Sequence, residues 1–436
     1  MLRAVRLVKR DVPGPRSRAL VERERRLLAP GSQQVSQLSG IALDGGEGAL
    51  CRDVDGNWYL DFFAGMAVAS LGHGHPALAA ALAKQALRGT AGSFTTEARV
   101  AFLERVGQAT AGLDAGLRRT QLYSGGSEAV ESALRLARAF TGRTDVVGFD
   151  GAFHGKTGGV LGLMGSSWKD GLGPFLPGQH LAPYPDPFRN RVGLDAALVQ
   201  LDALVAAHPV AAVIVEPMQG TAGNVIPPDG FLRGVAEVAR RHGALLIVDE
   251  MITGWGRCGR VFASELSGVR PDILCFGKGV AGGFPLSGLV TTDEICVAEP
   301  WSKPSFSSSS YGGGPLACAA GAAVAGVILD EDLAGHADRV GRILLDALQS
   351  RLGHLPVVGE IRGQGLLLAV ELVESGGNAP MPAETCRRIF QACLERGLLT
   401  TAYAPRLRIN PPLVLTAAQA EEGAMILAEA ITDVCG

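Results

Sequence analysis

Leu245, Leu246, Ile247 and Val248 follow one another without a polar interruption and run directly into Asp249. A strand with one wet face alternates apolar and polar residues, so an unbroken run of this kind must be covered on both faces. That is the condition of a strand inside a mostly parallel, helix-covered sheet. Comparable short runs at 120–123, 145–149, 211–216, 273–276 and 288–291 are separated by alanine-rich helical stretches. Their alternation predicts an α/β fold. Polar groups at the C-terminal ends of such strands open into the crevice where these sheets bind ligands.

At 436 residues the chain is too long for one small core. Residues 76–330 carry the strand–helix alternation and are expected to form a large domain. The flanks read differently. Residues 41–63 and 357–372 show strand-and-turn signals, whereas 382–396 and 417–434 have the periodicity of amphipathic helices. The segments 1–75 and 331–436 are therefore expected to combine into a smaller α+β domain.

A net charge of −3 and a pI near 6.3 offer nothing to nucleic acid or an anionic membrane. Small molecules and other subunits are the expected partners. Arg3, Arg6, Lys9, Arg10, Arg16, Arg18, Arg23, Arg25 and Arg26 make the first 26 residues mildly basic. Asp11, Glu22 and Glu24 interrupt them and no apolar segment follows, so this stretch reads as a solvated lead-in rather than a signal. No run approaches the ~20 apolar residues a membrane helix needs. The eight cysteines are scattered without a C-x-x-C pair and no histidines cluster at metal spacing, which suits reduced core thiols in a cytoplasmic protein and predicts no metal.

The chain holds only six lysines against 34 arginines, and one of the six, Lys278, follows the apolar run ending at Phe276. An ammonium at the mouth of a buried strand is partly desolvated, which favours its neutral, nucleophilic form and suits a Schiff base with an aldehyde cofactor. Asp249 stands at the end of another strand, where a carboxylate can keep a heteroaromatic nitrogen protonated. Capping the next turn is an equally good use for Asp249 taken alone. Acid and amine together at strand ends weigh more than either.

Ser124, Gly125, Gly126, Ser127 and Glu128 follow the first strand. Glycines let a ligand approach the backbone, and a helix starting near Glu128 would offer free N–H groups and a positive dipole end to a phosphate. An ordinary capped helix explains the same motif. Phe153, in a glycine-flanked loop, can stack on a flat ring, although a lone phenylalanine more often fills a core. His154 beside it has no visible metal partner.

The ordered set Tyr59-Leu60-Asp61-Phe62, Leu71-Gly72-His73-Gly74-His75-Pro76, Gly126-Ser127-Glu128-Ala129, Phe153-His154-Gly155, Val215-Glu216-Pro217, Val248-Asp249-Glu250, Gly277-Lys278, Gly312-Gly313-Gly314-Pro315 and Arg408-Ile409-Asn410-Pro411 resembles the class III, fold-type I pyridoxal-phosphate aminotransferases. These include enzymes of ornithine, acetylornithine and 4-aminobutyrate. The likeness runs from about residue 40 nearly to the end. It implies a seven-stranded, mostly parallel sheet and pyridoxal 5′-phosphate bound through Lys278, which also moves the substrate proton. By the same resemblance Asp249 pairs with the pyridine nitrogen, Gly126 and Ser127 hold the phosphate, and Phe153 and Met251 sandwich the ring. His154 and Glu216 belong to the cofactor surroundings, Ser310 reaches the phosphate of a neighbouring subunit in a homodimer, and Arg408 grips a donor α-carboxylate.

Four positions depart from the family pattern. Gly220-Thr221-Ala222 stands where ornithine- and 4-aminobutyrate-type members carry a glutamate after the glycine, Ile252 where many have glutamine, Gly314 where asparagine is common, and Lys156 where some have arginine. The reading reached is an aminotransferase taking nitrogen from an amino acid, L-glutamate being the leading donor, and giving it to an aldehyde or ketone in a ping-pong cycle. A racemase or epimerase needs the same cofactor contacts. An oxidised sugar of natural-product biosynthesis is a further acceptor in keeping with the motifs. A nicotinamide dehydrogenase is disfavoured, because the glycine turn lacks G-x-G-x-x-G spacing and no early βαβ unit precedes it.

Overall fold

The computed structural model describes residues 8, 11–189, 192–401 and 404–436. Within them the chain separates into two compact units, one comprising Met1–Pro76 with His336–Gly436 and the other Ala77–Gly335.

The larger unit is built on a seven-stranded sheet. Its strands are β1 (Arg119–Tyr123), β2 (Asp145–Phe149), β3 (Gln179–Ala182), β4 (Val210–Val215), β5 (Leu245–Asp249), β6 (Ile273–Phe276) and β7 (Ser287–Thr291), in the order β1-β7-β6-β5-β4-β2-β3. Every pairing is parallel except those of β7, which runs antiparallel to both β1 and β6. Six strands lie within a residue of the runs read from the sequence. The seventh, β3, was not expected: Gln-His-Leu-Ala has no continuous apolar character, and it is held at the sheet edge through its backbone ladder to β2.

All five residues of β5 are buried, and they alternate between two cores. Leu245 and Ile247 pack with Ala129, Val130, Ala133 and Leu136 of the helix Gly126–Thr141. Leu246 and Val248 pack on the opposite face with Leu201 and Val205 of the helix Leu194–Ala207 and with Val235 and Val238 of Phe231–Arg241. This double coverage is why the run lacks polar residues. Each such side chain taken out of water contributes about 1.5–3 kcal/mol, so the strands' central placement is strongly enforced.

The smaller unit contains a four-stranded sheet (Leu43–Glu47, Leu50–Asp53, Trp58–Asp61, Leu398–Leu399) and a three-stranded antiparallel one (Val358–Gln364, Leu367–Leu372, Arg406–Ile409). The helices Ala383–Glu395 and Ala417–Cys435 occupy the stretches read as amphipathic. Part of the basic lead-in is ordered structure: Pro15–Arg25 is a helix whose first turn is pinned by Asp55, which accepts from the Arg16 and Ser17 amides at 2.9 and 2.8 Å. Arg3, Arg6, Lys9 and Arg10 lie outside the described residues.

Candidate active site

The C-terminal ends of β1, β2, β4, β5 and β6 gather the polar groups of the larger unit. After β1 the chain turns at Ser124 and Gly125, and the helix begins at Gly126, two residues earlier than expected. Gly126 and Ser127 therefore lie in its first turn, where the amides have no intrahelical acceptor. Glu128 reaches back and its Oε2 accepts from Ser124 N at 3.1 Å and Gly125 N at 2.8 Å. Ser287, a hydroxyl in the otherwise apolar β7, donates to the Gly125 carbonyl at 2.8 Å and fixes the turn. Nothing in the local sequence marks Ser287 for that task. Gly155, at φ +127°, leaves room for Ser127, since a β-carbon there would run into the Ser127 hydroxyl.

Beyond β2, the loop carrying Phe153 and His154 crosses toward β4 and β5. His154 Nδ1 lies 2.8 Å from Asp249 Oδ2, and both side chains are shielded from solvent. The other Asp249 oxygen accepts from Met251 N at 3.0 Å. Burial opposes a charged His154, but the hydrogen bond and negative charge of Asp249 outweigh it and raise the imidazole above its ordinary value; the positive charge of Lys278 acts in the opposite sense. His154 Nε2 is buried without a hydrogen-bond partner.

Glu216, at the end of β4, uses Oε1 to accept from Phe153 N at 2.9 Å and Oε2 from Gly220 N at 3.1 Å. Burial pushes its carboxyl up to about 7; His154 pulls it down and the Asp249 charge pushes it further up. Glu216 thus ties two loops together and stands in electrostatic contact with the His154–Asp249 pair.

β5 and β6 are register partners at Asp249 and Cys275, which places Lys278 three residues past the neighbour of Asp249. Lys278 is half-buried and sits at φ +44°, in the left-handed region. A non-glycine residue there costs on the order of 1–3 kcal/mol and persists only where its surroundings demand it. Met251 is buried between the flanking turns: a β-carbon at Gly126 would stand 3.1 Å, and one at Gly277 2.7 Å, from its Sδ. Ile252 closes on Gly220, where an added β-carbon would meet it at 2.9 Å.

Phe153 is half-buried and meets Trp168 edge-on, with ring centroids 6.1 Å apart. The Lys156 ammonium lies 4.7 Å from the Trp168 centroid and 5.9 Å from that of Phe153. Ser310 is exposed and lines a pocket with Ser93, Arg99, Ser308 and Ser309.

In the smaller unit, Arg408 is buried on the strand Arg406–Ile409, with Nη2 3.6 Å from Met66 Sδ. Met66 belongs to four consecutive left-handed residues, Ala64 to Ala67. Asp61 anchors that turn by accepting from Phe63 N and Ala64 N at 2.8 and 2.7 Å. The motif spacing gave no sign of this strained turn.

The larger unit's donor set suits a pyridoxal phosphate. An anion fits the first turn beside Gly126 and Ser127, a buried carboxylate hydrogen-bonded to an imidazole fits a pyridinium nitrogen, and a half-buried amine fits the aldehyde.

The aminotransferase class-III family matches residues 31–431. Among curated relatives, the chain is 34% identical to an alanine/serine racemase of Pyrococcus horikoshii, over 97% of this chain and 91% of that one. It is also 34% identical to an acetylornithine aminotransferase of Methanothermobacter thermautotrophicus, over 96% and 99%. Among solved structures, a thermostable (S)-enantioselective omega-transaminase from Thermomicrobium roseum superposes with a TM-score of 0.88 at 31% identity, covering 96% of this chain and 99% of that one.

Proposed function

We propose, from the premise that this chain belongs to the class-III aminotransferases and is a pyridoxal-phosphate enzyme, that it transfers nitrogen from an amino-acid donor, with L-glutamate the leading candidate, to an aldehyde or ketone in two half-reactions. The single observation carrying the site assignment is the convergence of Asp249, His154 and Lys278 at neighbouring strand ends. Bound there, the cofactor supplies an electrophilic carbonyl and an electron sink that acidifies a substrate C–H bond.

The protein's own residues then do the following. Gly126 and Ser127 present first-turn amides and the helix dipole to the phosphate, in a turn stiffened by Glu128 and Ser287. Phe153 and Met251 would flank the ring. Asp249 would offer its carboxylate to the ring nitrogen, and His154, hydrogen-bonded to Asp249 Oδ2, would orient that carboxylate. Glu216 fixes the backbone of Phe153 and of Gly220. Lys278 Nζ would hold the aldehyde carbon of the cofactor and is the group that would move the substrate proton. Arg408 supplies a planar, bidentate fork for a donor carboxylate. Ser310, exposed beside Phe306 and Tyr311 (58% and 81% exposed), suits a hydroxyl given to the phosphate of a second copy in a homodimer.

The acceptor is an aldehyde or ketone, and Gly220-Thr221-Ala222, with no acid where ornithine- and 4-aminobutyrate-type members carry a glutamate, disfavours ω-amine chemistry of their kind. The racemase among the relatives supports a second reading, in which the same proton is returned to the opposite face.

Two experiments test this. Purified protein should absorb as a yellow Schiff base, and Lys278→Ala should lose that band after reduction and dialysis; a colourless protein indifferent to added pyridoxal phosphate overturns the assignment. Amino donors and acceptors are then screened by the spectral change of the cofactor, with a D₂O arm. Deuterium wash-in and inversion without nitrogen transfer would select the racemase.

A further inference from the structure

Sequence spacing gave no metal cluster, but the sheet makes one at its opposite end. Asp145 opens β2, which is flanked on one side by β3 and on the other by β4. β3 carries His180, whose register partner is Val147, and the residue two before β4 is His208. Three segments 28 or more residues apart in sequence thus deliver two imidazoles and a carboxylate to one spot.

The geometry is specific. His180 Nε2 lies 2.8 Å and His208 Nδ1 3.8 Å from the same oxygen, Asp145 Oδ2. The two rings are stacked, with centroids 4.0 Å apart and planes 27° from parallel. The second Asp145 oxygen is engaged separately, accepting from the Thr144 hydroxyl at 2.8 Å, so Oδ2 alone faces the histidines. One imidazole is at hydrogen-bond length and the other beyond it. A tetrahedral ion bound at about 2.0–2.2 Å to nitrogen and oxygen sets its ligand atoms about 3.3 Å apart. That is midway between the two separations seen, and turning the two rings out of their stack would let both nitrogens aim at one ion beside Asp145 Oδ2. The backbone around it is already fixed: Asp145 N donates to Pro209 O at 3.1 Å and Val146 N to Gly178 O at 2.8 Å.

We infer that Asp145, His180 and His208 bind one divalent transition-metal ion of the zinc class, with solvent completing the sphere, as a clip across three strands at the N-terminal edge of the sheet. Two imidazoles and one carboxylate suit Zn²⁺, Ni²⁺ or Cu²⁺ and not Mg²⁺ or Ca²⁺, which take oxygen ligands. Thr144 orients the carboxylate from behind, as outer hydrogen bonds to metal-binding carboxylates do. His208 is the most open of the three, with 38% of its side chain exposed, and gives the ion its way in. The site is at the far end of the strands from Asp249, so its occupancy is expected to change stability and leave turnover alone.

The test is equilibrium dialysis of the full-length, cofactor-loaded enzyme against Zn²⁺ after EDTA treatment, with Mg²⁺ as comparison. One equivalent should bind, Tm should rise with Zn²⁺ and not with Mg²⁺, and His208→Ala and His180→Gln should each weaken binding by about tenfold or more. His208→Ala should keep wild-type turnover while losing the Zn²⁺-dependent rise in Tm. A second cluster, Cys51 with Asp61 and His73, competes for the same ions. Co²⁺ substitution separates them, since only the second can show thiolate-to-cobalt absorption. Absence of saturable Zn²⁺ binding, unchanged binding in both histidine variants, or a thiolate band overturns the proposal.

Discussion

His154 and Asp249, 95 residues apart in sequence, meet through a 2.8 Å contact in which neither side chain is more than 2% exposed. A carboxylate so enclosed needs hydrogen-bond partners for its oxygens. The imidazole holds one of its oxygens, and the Met251 amide on the other fixes its direction.

Removing that support should weaken catalysis without touching the reacting atoms. His154→Ala is expected to lower kcat about 10–100-fold, the range for losing an outer partner of a ligating group, and to weaken pyridoxal phosphate binding. Measured kcat and cofactor affinity check it. Wild-type values for both would show that Asp249 does not depend on His154.

Asp249→Ala should abolish measurable turnover, and Asp249→Asn should lower it by about 10²–10³-fold, as for loss of one charge-stabilising group. Single-turnover absorbance reads the half-reactions separately; near-normal rates would refute the role given to Asp249.

Glu216 provides a pH signature. Its folded value of about 7 lies above the ordinary 4.5 because burial favours the protonated form. A carboxyl raised on folding destabilises the protein progressively as pH climbs from the unfolded value to the folded one. The cofactor-free protein should therefore lose stability between about pH 4.5 and 7 relative to Glu216→Gln, with no further difference above that window. Tm against pH for the two proteins decides the matter, and parallel curves would contradict it.

Gly155→Ala places a methyl group against the Ser127 hydroxyl at a backbone angle of +127°. A cost of about 1–3 kcal/mol and a weaker cofactor affinity are expected, because Ser127 must move. Thermal unfolding and cofactor titration measure the two effects independently.

Arg408→Ala should raise the KM of the amino-acid donor about 10–100-fold, the worth of a charged hydrogen-bonded pair, with much less effect on the acceptor half-reaction. Arg408→Lys should not restore it, since an ammonium lacks the planar fork. Equal loss in both half-reactions would mean that Arg408 serves both substrates or supports the strained turn at Met66.

Much of this was legible beforehand because hydrophobic periodicity is local. Val210–Val215, Leu245–Asp249 and Ile273–Phe276 are uniformly buried, and uniform burial leaves an uninterrupted apolar run in any single sequence. The edge strand Gln179–Ala182 was invisible for the same reason: it is only partly covered and owes its place to backbone hydrogen bonds, to which side-chain identity is nearly indifferent. The helix start at Gly126 was misplaced by two residues because glycine lowers helix propensity, whereas here the turn is held by Glu128 and Ser287.

By itself the amino-acid order determined the class of fold, and it singled out a carboxylate and an amine at strand ends, since both follow from where apolar runs stop. Only the tertiary structure decided which side chains face each other across those ends: His154 on Asp249, Glu216 beneath Phe153, His180 and His208 on Asp145. Strand order is set by the packing of whole layers, and burial, which shifts each proton equilibrium, exists only once those layers have closed.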